Sequence, residues 1–370
     1  AANGSGSGSG SGSSSSSSFA YGNNKVSVGS TRSCAILDNG DLKCWGYNYY
    51  GQLGMGDDHD DLWSSSTPLL SSLPVLGVAE EISLGEYHAC SLMDNGSVYC
   101  WGRDDSGALG IGNGAGTDSN APVSVSLPSG RLAIALSVAS DHSCVVLDDG
   151  SVHCWGRNSD GQLGDGTTTA SDTPVQTSLP AGKTAVAISA GSMHACAVMD
   201  DGSAYCWGYG HPGQLGDGNA WNSPGYSTTP VEVSIPAGYT VLSISAGFMH
   251  TCAIVSDGAA YCWGYNSDAE LGDGTTTKRT SPVMVSILDY THTTGDGWEP
   301  IKPIAIDAGE HVTCAVMATR TPDSTWYQES LFCWGDNEYG QLGDGTETDS
   351  SSAKEVNSGL TASSITTGNF

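Results

Sequence analysis

Basic side chains are scarce in this sequence: 12 lysines and arginines stand against 40 aspartates and glutamates, for a formal charge of −28. A nucleic-acid backbone or an anionic lipid surface repels such a chain, so nucleic acid is excluded as an expected partner. The carboxylate excess suits a basic protein partner, solubility in salt or, as the only cofactor expected, weak Ca²⁺ binding. Long apolar runs are also lacking. No stretch approaches the roughly 18 to 20 residues of a membrane-crossing helix, and no charged-then-apolar leader opens the chain. A soluble chain with no membrane span is expected, and Ala1-Ala2-Asn3 fits a mature end left after signal-peptide removal. Catalytic signatures are missing too: there is no Gly-x-Ser-x-Gly elbow, no His-Glu-x-x-His and no phosphate-binding loop. No catalytic residue is expected, and the chain is read as not an enzyme.

Twelve cysteines are present, and they fall into local pairs. Cys-Trp-Gly recurs at Cys44, Cys100, Cys154, Cys206, Cys262 and Cys333, each with an upstream partner at Cys34, Cys90, Cys144, Cys196, Cys252 and Cys314. Nine residues separate the members of the first five pairs, and the sixth pair carries an insertion. Around Asp200-Asp201-Gly202 the flanking residues alternate as in a hairpin whose three-residue loop ends on a left-handed glycine. That loop sets Val198 against Ala204 and Cys196 against Cys206, a separation a disulfide bridges. Each such staple contributes about 2 to 3 kcal/mol on the chain-entropy estimate. Six of them place the protein in an oxidising compartment, extracellular or at the cell surface.

Alternation puts Val198, Ala204 and the cysteines on one sheet face and Met199, Tyr205 and Trp207 on the other. Both faces are apolar, so both must be covered. Units recurring every 52 to 62 residues, each with a preceding β-like run and a following Pro-Val run, predict blades of about four strands stacked radially.

After Cys-Trp-Gly come Gly161-Gln162-Leu163-Gly164-Asp165-Gly166, Gly213-Gln214-Leu215-Gly216-Asp217-Gly218 and Gly340-Gln341-Leu342-Gly343-Asp344-Gly345. These segments resemble the repeat of the regulator of chromosome condensation superfamily, over nearly the whole chain from Lys25 onward. The paired cysteines resemble its extracellular branches, such as crinkly-type receptor ectodomains and secreted bacterial members. The resemblance implies an all-β, seven-bladed propeller. Seven first-strand runs are counted, near Val26, Ile82, Leu136, Ile188, Ile244, Ile306 and Ile365. Only six hairpins follow, so the seventh blade is expected to close by pairing the N- and C-terminal segments, with Phe19-Ala20-Tyr21-Gly22 as its third strand. The domain division is a Gly/Ser-rich segment at 1–18 and a propeller at 19–370. Composition reads the first as a flexible linker, and Asn3-Gly4-Ser5 is a candidate glycosylation sequon on Asn3.

Several positions invite a sharper reading beside a plain one. His88, His142, His194 and His250 share one repeat slot, broken by Arg32 and Val312; blade separation disfavours a shared metal, and structural hydrogen bonding is expected. No metal-ligating residue is predicted. The tryptophans of Cys-Trp-Gly repeat in every full unit, so packing between blades is favoured over a light-sensing cluster. Asp165, Asp217, Asp273 and Asp344 precede glycine and read as turn residues rather than Ca²⁺ ligands. The off-repeat aromatics Trp63, Trp221, Trp298, Trp326 and Tyr327 are the candidate binding residues, for protein or carbohydrate.

The expected function is an extracellular, non-enzymatic structural or interaction scaffold that binds a protein partner or self-associates. Its narrowest form is a subunit of a surface filament or appendage in which the N-terminal segment joins neighbours. The rival is a monomeric secreted inhibitor or receptor-like module. Guanine-nucleotide exchange, known in the family, is disfavoured by the oxidised cysteines.

Overall fold

A computed structural model of the chain describes residues 25–56, 62–74, 77–220, 222–286, 302–320, 327–356 and 365–367. Among them, 24 strands and no helix are found. The strands form six antiparallel sheets of four, each in sequence order. Sheets 1 to 6 span Val26–Leu70, Ala79–Ser124, Ala133–Gln176, Ala185–Glu232, Val241–Met284 and Lys302–Glu355.

Sheet 4 shows why these residues make these strands. Its second strand, His194–Met199, pairs with its third, Ala204–Tyr209, with Cys196 opposite Cys206 and Val198 opposite Ala204. The Met199 amide donates to the Ser203 carbonyl at 2.8 Å, and Gly202 takes the left-handed φ of 79° that ends the loop. Cysteine Cα atoms stand 4.0 to 4.1 Å apart in all six disulfides, the narrow kind of cross-strand pair.

The core lies between sheets rather than within one. Cys144, Val146, Val152 and Cys154 of sheet 3 pack against Ala195, Ala197, Met199 and Trp207 of sheet 4. The disulfide face of one sheet thus meets the indole face of the next, and the same contact recurs from sheet 1 to sheet 6. Each buried indole reaches back to the loop of the preceding sheet: Nε1 of Trp101, Trp155, Trp207, Trp263 and Trp334 donates to a backbone carbonyl there at 2.7 to 2.9 Å. The glycine after Leu215 makes room for this. Gly216 has φ of 70°, and a Cβ there would sit 2.5 Å from Trp263 Nε1. A second link joins the first strands: the hydroxyls of Ser27, Ser83, Ser137, Ser189 and Ser245 each accept an amide of the next sheet at 2.9 to 3.2 Å.

Six blades, not seven, is the architecture of the described residues, which corrects the seven-bladed expectation. The count of seven rested on an apolar run at Ile365, but a strand needs hydrogen-bonded neighbours as well as alternation. Residues 365–367 form no sheet. Ile365 packs on the disulfide face of sheet 6, and Thr367 donates its amide and hydroxyl to Asp307 Oδ2 at 2.5 and 2.9 Å. The expected closing strand at 19–22 and the Gly/Ser segment lie outside the described residues.

Gly216→Ala combines a disfavoured left-handed alanine with a clash against an indole that has nowhere to move. Urea unfolding should show a loss of about 2 to 4 kcal/mol, against about 1 to 2 kcal/mol for alanine at Gly130, where a Cβ meets only open space and the backbone strain acts alone.

Candidate interaction surface

In a four-stranded meander the first-to-second and third-to-fourth connections share one end of the sheet, and the hairpin turn occupies the other. The shared end of sheets 1 and 2 carries a connected aromatic patch. Asn48 builds its base: the side-chain Oδ1 accepts the Leu53 amide at 2.9 Å, Nδ2 donates to the Leu62 carbonyl at 2.8 Å, and the backbone amide donates to the Trp63 carbonyl at 2.9 Å. One asparagine therefore draws the two ends of a long loop together and delivers Trp63 beside Tyr49.

The ring centroids of Tyr49 and Trp63 are 5.2 Å apart, and Tyr50 meets Tyr49 edge-on at 4.9 Å. Tyr50 then meets Tyr87 of sheet 2 edge-on at 5.5 Å, so the patch crosses between sheets. The Arg103 guanidinium lies 5.2 Å from the Tyr50 ring centre and 4.9 Å from that of Tyr87, and is paired with Asp105. A hydrogen bond to Glu86 pushes the Tyr87 hydroxyl up to about 12. Ring pairs contribute about 0.5 to 1.5 kcal/mol each, and exposed cation–π contacts about 0.5 to 1 kcal/mol. The rings are thus held in place while Trp63 and Tyr49 stay 66% and 53% exposed. Beside them, between Tyr87, Arg103 and Asp141, is a crevice of about 10 Å³, room for about one water. A broader recess of about 600 Å³ lies at the hairpin-turn end of sheets 3 and 4, walled by polar turn residues such as Asp149 and Lys183.

Of the five aromatic residues singled out from sequence, the structure places Trp63 in this patch. Trp221, Trp298 and Trp326 lie outside the described residues, as does Asn3, and Tyr327 opens the third strand of sheet 6 with only its backbone described. Tyr49, Tyr50, Tyr87 and Arg103 were missed. The signal for the tyrosines is a departure from the repeat, as the Tyr49-Tyr50 pair stands where sheet 3 carries Ser159-Asp160, whereas Arg103 has a counterpart in Arg157 and gives no such signal.

The repeated positions behave as interior parts. His88, His194 and His250 place Nε2 at 2.8 Å from the hydroxyls of Ser143, Thr251 and Thr313 on the next sheet. In sheet 4 the position of those hydroxyls is Ala195, and neither ring nitrogen of His142 has a hydrogen-bond partner. The aspartates at 165, 217, 273 and 344 each accept the amide two residues on at 2.9 to 3.0 Å, the bond of an Asx turn.

The repeat-and-indole geometry has a counterpart in known proteins: the RCC1-like domain description matches residues 65–370, and the regulator of chromosome condensation (RCC1) repeat matches residues 19–52. The chain belongs to the RCC1-like domain family. Among relatives of this RCC1-like chain, the ultraviolet-B receptor UVR8 of Arabidopsis thaliana is 27% identical over 88% of this chain and 67% of its own length. The RCC1 domain-containing protein RUG3, mitochondrial, also of Arabidopsis thaliana, is 29% identical over 80% of this chain and 65% of its own length. Human E3 ubiquitin-protein ligase HERC2 is 30% identical over 84% of this chain, which spans only 6% of that protein. In three dimensions, human WBSCR16 superposes with a TM-score of 0.79 at 21% identity, covering 93% of this chain and 84% of that one. Yeast RCC1 (Prp20), solved with Kap60, superposes with a TM-score of 0.72 at 21% identity, over 90% and 74%. Both likenesses concern the fold.

Burial holds the four histidines of this RCC1-like core near a pKa of about 3, below their ordinary value of 6.5. Since the unfolded chain binds protons that the native state refuses, their contribution is whole above pH 6.5 and is lost as pH falls toward 3. His142→Gln should remove about 1.4 kcal/mol of acid destabilisation per pH unit between pH 6 and 4 relative to wild type, read from urea midpoints across that range.

Proposed function

We propose that this RCC1-like propeller is a non-enzymatic interaction scaffold of the extracellular space or cell surface, docking a protein partner through the patch around Tyr49, Tyr50, Trp63, Tyr87 and Arg103. The observation that carries the reading is the packing of the exposed rings against one another and against Arg103. Prearranged aromatics beside an arginine lose little freedom on binding and are the residue types that dominate protein interfaces. The charge of −28 favours a partner with a basic face, drawn in by the long-range field.

Six disulfides with no free cysteine support an oxidising compartment. Protein binding is also the theme of a relative of the same fold: yeast RCC1 was solved with Kap60, and Prp20p is described by its binding to Gsp1p and histones. The filament form of the reading depends on residues 1–22, outside the described residues, whereas the patch stands on described ones. A second reading, a carbohydrate ligand, draws on the exposed Trp63 ring, a flat surface for a sugar.

A photo-cross-linking residue at Tyr49, with one at the 60% exposed Met284 of sheet 5 as control, tests the docking face in native extracellular material. Protein adducts should form from position 49 and not from 284, and Tyr49→Ala with Trp63→Ala should weaken the captured partner by tenfold or more. Adducts from 284 alone, or undiminished affinity, would overturn the assignment. A glycan captured at 49 would replace the protein reading with the carbohydrate one. Alkylation of the same material without reductant should label no cysteine.

A further inference from the structure

Sheet 5 departs from the repeat where its loop meets sheet 6. The position held by Gln52, Gln162, Gln214 and Gln341 is Glu270, and the slot held by Met193 and Met249 is His311. The glutamines show what the change does. Gln162 accepts the Asp160 amide with Oε1 at 2.9 Å, and its Nε2 reaches the Asp160 carboxylate at 3.4 Å. Glu270 keeps the first bond, accepting the Asp268 amide on Oε2 at 3.0 Å. Its Oε1 stands in place of the amide nitrogen, so a donor that would face the Asp268 carboxylate becomes a second acceptor. Burial pushes the Glu270 carboxyl up, and the Asp268 amide offsets this only in part.

His311 enters the gap. Its Nδ1 lies 3.2 Å from Asp268 Oδ2 and 3.5 Å from Glu270 Oε1, and the three donor atoms all lie within 4.8 Å of one another. Yet neither Nδ1 nor Glu270 Oε1 has a hydrogen-bond partner, although the Glu270 side chain is 0% exposed. Three ligand atoms converge on one point, and two of them make no hydrogen bond. Atoms about 2.1 Å from a tetrahedral ion are about 3.4 Å apart, which matches the two nitrogen-to-oxygen spacings. Glu310 Oε1 lies 3.8 Å from the far nitrogen, Nε2, on the side where metal-bound imidazoles commonly face a carboxylate. Ala269, between the two carboxylate residues, has a φ of 68° and is the only non-glycine with positive φ among the described residues.

We propose that Asp268, Glu270 and His311 bind one divalent cation of the zinc type, joining the loop of sheet 5 to sheet 6. One imidazole nitrogen with two carboxylate oxygens suits zinc better than Ca²⁺, which takes six to eight oxygens at about 2.3 to 2.6 Å. Asp268 and His311 are 40% and 38% exposed, so the ion has a path in and room for water on its remaining side. The site is separate from the aromatic patch and does not rest on the docking role.

The test is calorimetric titration of the EDTA-dialysed full chain with ZnCl₂ in excess Ca²⁺. Glu270→Gln and His311→Met each restore a residue that other sheets carry at that position, so both variants keep the fold, which circular dichroism verifies. Wild type should take up one equivalent with a rise in melting temperature, and both variants should lose at least 100-fold in affinity. Absence of saturable uptake by wild type, or equal uptake by folded Glu270→Gln, overturns the proposal.

Discussion

Everything in this propeller depends on the contact between a face of sulfur and a face of indole. A stapled hairpin is apolar on both sides, so a single sheet leaves one face in water whatever it packs against. Stacking removes that difficulty by giving the disulfide faces of sheets 1 to 5 the tryptophan face of the next sheet, while Ile365 and Val356 pack on that of sheet 6. The indole nitrogen then needs an acceptor inside the interface, and the carbonyl of the preceding loop supplies it. The glycine of that loop, the histidine-to-hydroxyl bond and the serine link between first strands follow from holding two such faces at one distance.

The interior repeats with few departures, such as Arg32 in the histidine slot of sheet 1, and most distinction lies at the rim. The loops of sheets 1 and 2 carry rings and an arginine; the loop of sheet 5 and the turn of sheet 6 carry carboxylates and an imidazole. Both clusters join neighbouring sheets. A rigid interface places groups more than 30 residues apart in the sequence, such as Tyr50 and Tyr87, with little conformational loss. This is how one repeat can serve unlike roles within a family without altering its core.

Much of this was legible in the residues. Cysteine spacing and the Asp-Asp-Gly loop dictate the hairpin register, and two apolar faces require stacking. The number of blades was not legible from apolar runs, because the run at Ile365 specifies alternation but not hydrogen-bonded neighbours. The aromatic patch was only partly legible: Trp63 stood out as off-repeat, while Tyr50 and Tyr87 meet across an interface that no spacing within one unit encodes. Glu270 and His311 leave a trace only when units are compared position by position, since each is unremarkable alone.

The buried sulfurs have a kinetic consequence. Thiol attack requires access to sulfur, and cysteines in sheets 1 to 5 are fully enclosed. A reductant must therefore wait for two neighbouring sheets to part, so the rate at which each staple is consumed reports the opening frequency of its own interface. Cys314 and Cys333, at 6% and 3% exposure, lie under Ile365 and Val356 rather than under a sheet, and there that clock should run fastest. Loss of one staple then loosens both adjoining contacts, and reduction should spread from sheet 6 as a front rather than strike the six bonds at random.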